Sequence, residues 1–341
     1  MRSTQKTEML ATHTPALFDA AVRRAATSLR AGDVVALPTE TVYGLAANAL
    51  DETAVRRIFA VKGRPAHNPI IVHVADEAMA RRCAASWPEA AARLSRAFWP
   101  GPLTLVVPRA EEIPAVVTAG GPTVGVRWPS HPLMQAVIRA CGFPLAAPSA
   151  NPSNAISPTT AAHVLKSLGG KIPLVVDGGA AQVGIESSVI DVTTAPARLL
   201  RPGIISPESL RAVLGQVSTA IATGKGGALR SPGQLPRHYA PKARLLVWPW
   251  QDETALRQRV VGEGLVPSRT QVVAHTHIPL GGGFAGVSVI PHDAEAFARA
   301  LYAELHRCDA SGAEWIVVEA VPETPEWHGI ADRLRRASVA E

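Results

Sequence analysis

The chain has 341 residues, 47% of them hydrophobic and 18% charged, with 34 Lys plus Arg against 28 Asp plus Glu. This composition excludes global disorder, and the absence of any run of 18 apolar residues argues against a membrane span. Three dispersed cysteines, Cys83, Cys141 and Cys308, make neither a disulfide framework nor a CxxC metal site. The first residues lead into no apolar signal-peptide core, so a soluble protein of a reducing, cytoplasmic compartment is expected. The formal charge of +6 is unevenly placed: residues 1–214 hold 21 basic and 15 acidic residues, while 215–341 hold 13 of each. A basic first part suits nucleic acid, a polyphosphate pocket or an Arg-rich solvated surface.

Short apolar runs predict buried strands at Val34–Leu37, Ile70–Val72, Leu103–Val107, Leu145–Ala147 and Leu174–Val176. Helical spacing predicts helices over Thr53–Val61, Ala78–Cys83, Glu89–Phe98, Leu133–Ala140 and Thr160–Leu168. Mixed strand and helix order through residue 214 indicates an α/β domain. From Gly215 to Ala243, Gly and Pro interrupt periodicity and a linker is expected. Beyond it, strands at Arg244–Trp248, Gln271–Ala274, Val287–Ile290 and Trp315–Val318 alternate with helices at Thr254–Val261, Ala294–Cys308 and Ile330–Ala337. A second, smaller α/β domain follows, giving the division 15–214, 215–243 and 244–341.

Two motifs fail on context. Gly281–Gly286 matches G-x-G-x-x-G, but a strand pattern follows where a helix N-terminus is required. His275 and His277 share one side of a strand without a nearby third ligand, and read as polar surface.

The informative stretches lie in the first domain and the linker. They are Pro38-Thr39-Glu40-Thr41-Val42-Tyr43-Gly44-Leu45, Lys62-Gly63-Arg64 through Asn68 to His73, Trp99 to Thr104, Val124 to Pro129, and Ala147-Pro148-Ser149-Ala150-Asn151. Asp177-Gly178-Gly179, Glu186-Ser187-Ser188, Leu200 to Gly203 and His238-Tyr239-Ala240-Pro241 complete them. Polar and basic residues thus recur at strand ends and in Pro/Gly-rich loops, where an α/β scaffold presents ligand contacts. Lys62, Arg64, Arg127 and Arg201 can supply charge for phosphates and a carboxylate. Without a nucleophile–base pair, chemistry rests on positioning and electrostatics, as in nucleotidyl transfer. Each stretch alone also has a structural reading. Thr39 and Thr41 can cap the following segment, and Lys62 and Arg64 can offset a helix dipole. Ser149 and Asn151 suit turns, and Arg127 can stack on Trp128. Glu186 and Asp191 can be solvated loop acids, and His73 a satisfied core histidine.

Together, in this order, the stretches resemble the YrdC-like family, in the long threonylcarbamoyl-AMP synthase form with an added C-terminal domain. The resemblance implies an α/β fold: an open, twisted, mixed sheet with flanking helices, plus a smaller Rossmann-like α/β domain. It implies synthesis of L-threonylcarbamoyladenylate and pyrophosphate from L-threonine, bicarbonate and ATP, with Mg²⁺ accompanying ATP. The product would feed a downstream tRNA threonylcarbamoyltransferase acting on the adenosine beside the anticodon in tRNAs that read codons beginning with A. Matching motifs place Thr41, His73, Arg127, Ala147 and Ser187 around L-threonine. They place Arg64, Asn68, Thr123, Ser149, Ser157, Arg201 and Tyr239 around ATP, and Lys62, Arg64, Ser149 and Asn151 at the catalytic centre. No resident metal site is implied, and the linker carrying Tyr239 is expected to close over the nucleotide. Ala46 and Asn154 stand where the family has glycine, and Asn154 can still take the left-handed conformation that a turn needs. Ser188 stands where it has threonine and keeps the hydroxyl. The alternative from a different class is an RNA-binding protein without catalysis, and a weak tRNA affinity is compatible with either.

Overall fold

The computed structural model describes residues 6–219, 231, 239–280 and 282–339. The linker motifs at Gly224–Gly227, Pro232-Gly233, Pro236 and His238 lie outside the described residues, as does Gly281. The chain divides into two compact units, one of residues 1–153 and 157–234, the other of residues 154–156 and 235–341.

In the first unit, chain order runs β1 (Glu8–Ala11), α1 (Pro15–Arg30), β2 (Val35–Leu37), β3 (Gly44–Asn48), α2 (Glu52–Lys62), β4 (Val72–His73) and α3 (Glu77–Arg82). It continues through α4 (Glu89–Phe98), β5 (Leu103–Pro108), β6 (Thr123–Arg127), α5 (Pro132–Cys141), β7 (Leu145–Ala146), α6 (Ala161–Leu168) and β8 (Leu174–Asp177). β9 (Ser188–Asp191), β10 (Ala197–Arg201), α7 (Pro207–Leu214) and β11 (Val217–Ser218) complete it. Among the described residues the strands form one mixed sheet, in the order β1-β8-β2-β3-β7-β4-β6-β5-β9-β10-β11. Leu29, Leu37, Leu45, Ile58, Leu94 and Leu103 are fully buried in its core.

Local chemistry sets where the functional loops begin. Asp51 Oδ1 accepts the backbone N–H groups of Thr53 and Ala54 and so caps α2, which stops at Gly63 in a left-handed conformation (φ 61°). Lys62 therefore leaves the last turn of that helix. The run Ile70–Val72, expected as a strand, pairs as a ladder only over Val72–His73. Upstream of it, Ile70 N–H bonds Val117 O and Ile71 O accepts from Ala147 N–H, so the run is extended but bridges separate loops.

The second unit contains β12 (Arg244–Trp248), α8 (Glu253–Gly262), β13 (Thr270–Ala274), β14 (Gly286–Val289), α9 (Ala294–Ala310), β15 (Trp315–Glu319) and α10 (His328–Ala337). Its strands are all parallel, in the order β12-β15-β13-β14. Gly286 opens β14, so the glycine motif does lead into a strand. The expectation of polar surface holds for the exposed His277 and is corrected for His275. His275 is buried, with Nε2 3.1 Å from Ala320 O and Nδ1 2.7 Å from His292 Nδ1. The Glu319 carboxylate accepts the N–H groups of His275, Thr276 and His277 and pairs with the His277 ring. These groups satisfy the exposed polar ends of β13 and β15. Among the described residues no helix is long and apolar enough to cross a membrane.

Candidate active site

Three loops of the first unit are laced together. In the turn between β2 and β3, Thr39 Oγ1 accepts the N–H groups of Thr41 and Val42, each at 3.2 Å. Val183 and Gly184 donate to the carbonyls of Glu40 and Thr41, at 2.7 and 3.1 Å. Tyr43 OH donates to Gly179 O at 2.7 Å, and the neighbouring Gly178 has no room for a Cβ, which would meet Pro38 at 2.6 Å. On the other side, Leu45 N–H donates to Pro148 O and Ala150 N–H to Tyr43 O, both at 2.8 Å. The stretches 38–45, 147–151 and 177–187 thus form one rigid floor.

Arg127, at the end of β6, is buried rather than stacked on the surface beside Trp128. Its Nε donates to Gly101 O at 3.2 Å and its Nη1 to Thr41 Oγ1 at 2.9 Å. Its Nη2 lies 2.8 Å from Glu40 Oε1, an ion pair whose angle leaves the Nη2 protons without an aligned acceptor. Burial raises the Glu40 pKa, but the Arg127 charge beside it and the Ser130 N–H outweigh that and hold the carboxyl below its usual range. His73 is the register partner of Arg127 in the parallel pair β4–β6, so the two side chains leave the same face. Burial, and then the Arg127 charge, push the His73 imidazole down to about 3, against pulls from Glu40 and the backbone of Ile71 and Leu145. His73 is neutral near pH 7. Ala147 sits where the two halves of the site meet, its N–H bonded to Ile71 O at 3.1 Å.

Lys62 is buried and donates to the carbonyls of Ser149 (2.5 Å) and Asn151, with Asn151 Oδ1 at 3.5 Å. Burial drives its pKa well below the usual lysine range; Arg64 adds to the drop and Glu186 opposes it. Arg64 spans Asn68 and Pro69: Nε donates to Asn68 O at 3.0 Å, and Nη2 to Asn68 Oδ1 at 2.7 Å and Pro69 O at 2.6 Å. Lys62, Arg64, Ser149 and Asn151 are thus brought together, with Asn68 beside them.

Ser187 and Arg201 meet across the β9–β10 hairpin: Arg201 Nε donates to Ser187 O and Nη2 to Ser187 Oγ, both at 3.1 Å. Ser157 Oγ donates to Glu186 Oε1 at 2.6 Å. Thr123 opens β6 and stands roughly 13 Å along the strand from Arg127. Tyr239 belongs to the second unit, where it is buried with its ring centroid 6.1 Å from that of Tyr302 and with Arg333 over its face. Asn154 and Tyr239 both take positive φ, 68° and 61°.

Sequence reasoning left four side chains without a role in the site. Glu40 lies inside a motif noted for its threonines. Glu186 reads as a solvated loop acid but is buried, as is Asp191, which caps Thr193. Thr104 reads as a strand residue, yet its hydroxyl is 2.8 Å from Ser187 Oγ. An acid flanked by apolar and β-branched residues at a strand end is the signal that marks Glu40 and Glu186 as buried.

Several groups of the site have incomplete hydrogen bonding. Asn68 Nδ2, His73 Nδ1, Arg127 Nη2 and Glu40 Oε2 are all buried and lack a hydrogen-bond partner. Such groups are rare in folded proteins, and a cluster of donors and acceptors of this kind fits a small polar ligand. Among the described residues no group of three or more His, Cys, Asp or Glu is arranged to hold a metal ion.

A family model described as "Telomere recombination" matches residues 27–203, and one described as "Threonylcarbamoyl-AMP synthase, C-terminal domain" matches residues 205–339. The chain is 41% identical to the threonylcarbamoyl-AMP synthase of Pyrococcus abyssi, over 93% of this chain and 94% of that one. It is 38% identical to that of Bacillus subtilis, over 94% and 93%. The crystal structure of P. abyssi Sua5 complexed with L-threonine superposes with a TM-score of 0.87 at 38% identity, covering 97% of this chain and 98% of that one. The ordered motifs, the mixed and parallel sheets and these matches agree: the chain belongs to the threonylcarbamoyl-AMP synthase family, in its form with the added C-terminal domain.

Proposed function

We propose that this protein forms L-threonylcarbamoyladenylate and pyrophosphate from L-threonine, bicarbonate and ATP. The product supplies threonylcarbamoylation of the adenosine beside the anticodon in tRNAs that read codons beginning with A, through a downstream transferase. The observation that carries this reading is the set of unsatisfied buried groups on Arg127, Glu40, His73 and Asn68, in the same unit as the Lys62–Arg64–Ser149–Asn151 quartet and the Ser187–Arg201 pair.

Threonine enters with its carboxylate on Arg127, flanked by Thr41, neutral His73, the backbone of Ala147, and Ser187. Its amine, once neutral, condenses with bicarbonate to a carbamate with loss of water. A carbamate oxygen attacks the α-phosphorus of ATP, and the α–β bridging oxygen leaves with pyrophosphate. Arg64, Asn68, Thr123, Ser149, Ser157 and Arg201, all of the first unit, serve ATP. Mg²⁺ would accompany ATP as part of the substrate and would offset charge on the phosphoryl oxygens. Lys62 acts from a fixed place: its Nζ ties the Ser149 and Asn151 carbonyls and holds their loop without reorganising during the reaction.

The test is pyrophosphate release from ATP by the purified chain. Release that requires both L-threonine and bicarbonate is the expected result. Equal turnover with carbamoyl phosphate in place of that pair would overturn the assignment.

A further inference from the structure

The arginine assigned to the substrate carboxylate does not stand alone. Glu40 is buried with it, at 8% and 4% side-chain exposure, and His73 beside them is neutral, so the cluster has no net charge. A lone buried guanidinium would favour any carboxylate, whereas a neutral pair matches a ligand that itself carries both signs. The two partners are also incomplete in complementary ways. Glu40 Oε1 is engaged by Arg127 and by the Ser130 N–H at 3.1 Å, but Oε2 is buried without a donor. Arg127 has Nε and Nη1 engaged, but its Nη2 protons lack an aligned acceptor. One unmet acceptor and one unmet donor on an ion pair correspond to the ammonium and carboxylate carried by adjacent atoms of an α-amino acid.

We propose that Glu40 is a specificity residue of the amino-acid subsite: its carboxylate is the counter-charge for the substrate ammonium, so that Glu40 and Arg127 together select a zwitterion over a bare hydroxy acid. This rests on the reading of L-threonine as substrate. It separates Glu40 from a mere prop for Arg127, because a prop would serve every carboxylate equally.

The experiment is calorimetric titration of L-threonine and of (R)-3-hydroxybutanoate, which keeps the carboxylate, hydroxyl and methyl of threonine but lacks the amine. The wild-type chain should prefer threonine. In Glu40→Gln that preference should fall by about tenfold or more, the scale of a hydrogen bond to a charged group. Glu40→Asp, which keeps the charge but withdraws it by one methylene, should show a smaller fall. Both ligands report on the same folded fraction, so partial unfolding cancels in the ratio, and whichever variant folds gives the answer. A preference unchanged in that variant overturns the proposal. A wild-type chain that binds no L-threonine instead overturns the reading on which the proposal rests.

Discussion

Replacing His73 with Gln should remove a specific part of the protein's acid sensitivity. The imidazole is held neutral in the folded chain, with a pKa pushed from 6.5 to about 3 by burial and by Arg127. Its folded-state pKa is depressed, so between pH 6.5 and 3 the unfolded chain binds the extra proton. Stability from this group is complete above the unfolded value and is lost as pH falls toward the folded one. At pH 7 protonation favours the unfolded chain by only about 0.2 kcal/mol; at pH 5 it does so by about 2 kcal/mol. The Gln variant lacks this proton in both states, while the other titrating groups are shared. Wild type should therefore lose about 2 kcal/mol more than His73→Gln between pH 7 and pH 5. Urea melts of both chains at pH 7, 6 and 5 measure the difference. The variant's own stability offset drops out because only the pH dependence is compared. Parallel stability curves would refute the reasoning, since they would mean that His73 titrates alike folded and unfolded.

Three further perturbations test other parts of the site. Arg127→Lys keeps a charge but loses the planar fork that reaches Gly101, Thr41 and Glu40 at once; the KM for L-threonine should rise about tenfold or more while that for ATP stays within about twofold, by steady-state pyrophosphate release. Lys62→Ala leaves the carbonyls of Ser149 and Asn151 without their donor, and kcat should fall on the order of 100-fold, whereas a drop below threefold would show that this tie does not position the reacting groups. Gly203→Ala would place a methyl 2.5 Å from Ser188 N and 2.8 Å from Glu186 O, both backbone atoms that cannot swing away; it should destabilise by about 1–3 kcal/mol in urea melts and weaken L-threonine binding through Ser187.

The parts of this site that were legible in the sequence are those written in local chemistry. Lys62 ends a helix that Asp51 starts and Gly63 stops, and the Pro/Gly-rich loops around Thr41, Ser149 and Ser187 punctuate the strands as their composition implies. What was not legible depends on distant pairing. β3 and β9, at Gly44–Asn48 and Ser188–Asp191, show no alternation of their own and are held between a nearby strand (β2, β10) and a distant one (β7, β5). The helix α1 has an Ala-rich buried face, Ala21, Ala25 and Ala26, with only one large buried residue, Leu29, so its periodicity is faint. Glu40 and Glu186 carry charges that solvent would normally claim. Arg127 from β6 and the Ser130 N–H at Glu40, and the Ser157 hydroxyl at Glu186, help make their burial tolerable.

This last point alters the meaning of the charge. The first 214 residues carry an excess of six positive charges, and the four basic residues Lys62, Arg64, Arg127 and Arg201 are indeed buried in the site. Glu40 and Glu186 are buried with them, so the site holds a much smaller excess than its arginines suggest, and most of the six must reside on the surface. Part of that surface is locally compensated: Arg24 pairs with Glu8, Arg57 with Asp33, Arg81 with Glu77 and Arg211 with Glu208, all exposed. The two populations differ in their response to salt. Exposed charges are screened within about 8 Å at physiological ionic strength, while buried ones are screened far less. Any affinity for RNA carried by the surface must therefore fall steeply with salt. Recognition of threonine by buried, paired groups should be nearly flat over the same range. A threonine affinity that collapsed with salt in step with RNA binding would place the amino-acid subsite on the open surface, against the burial of Arg127, Glu40 and His73.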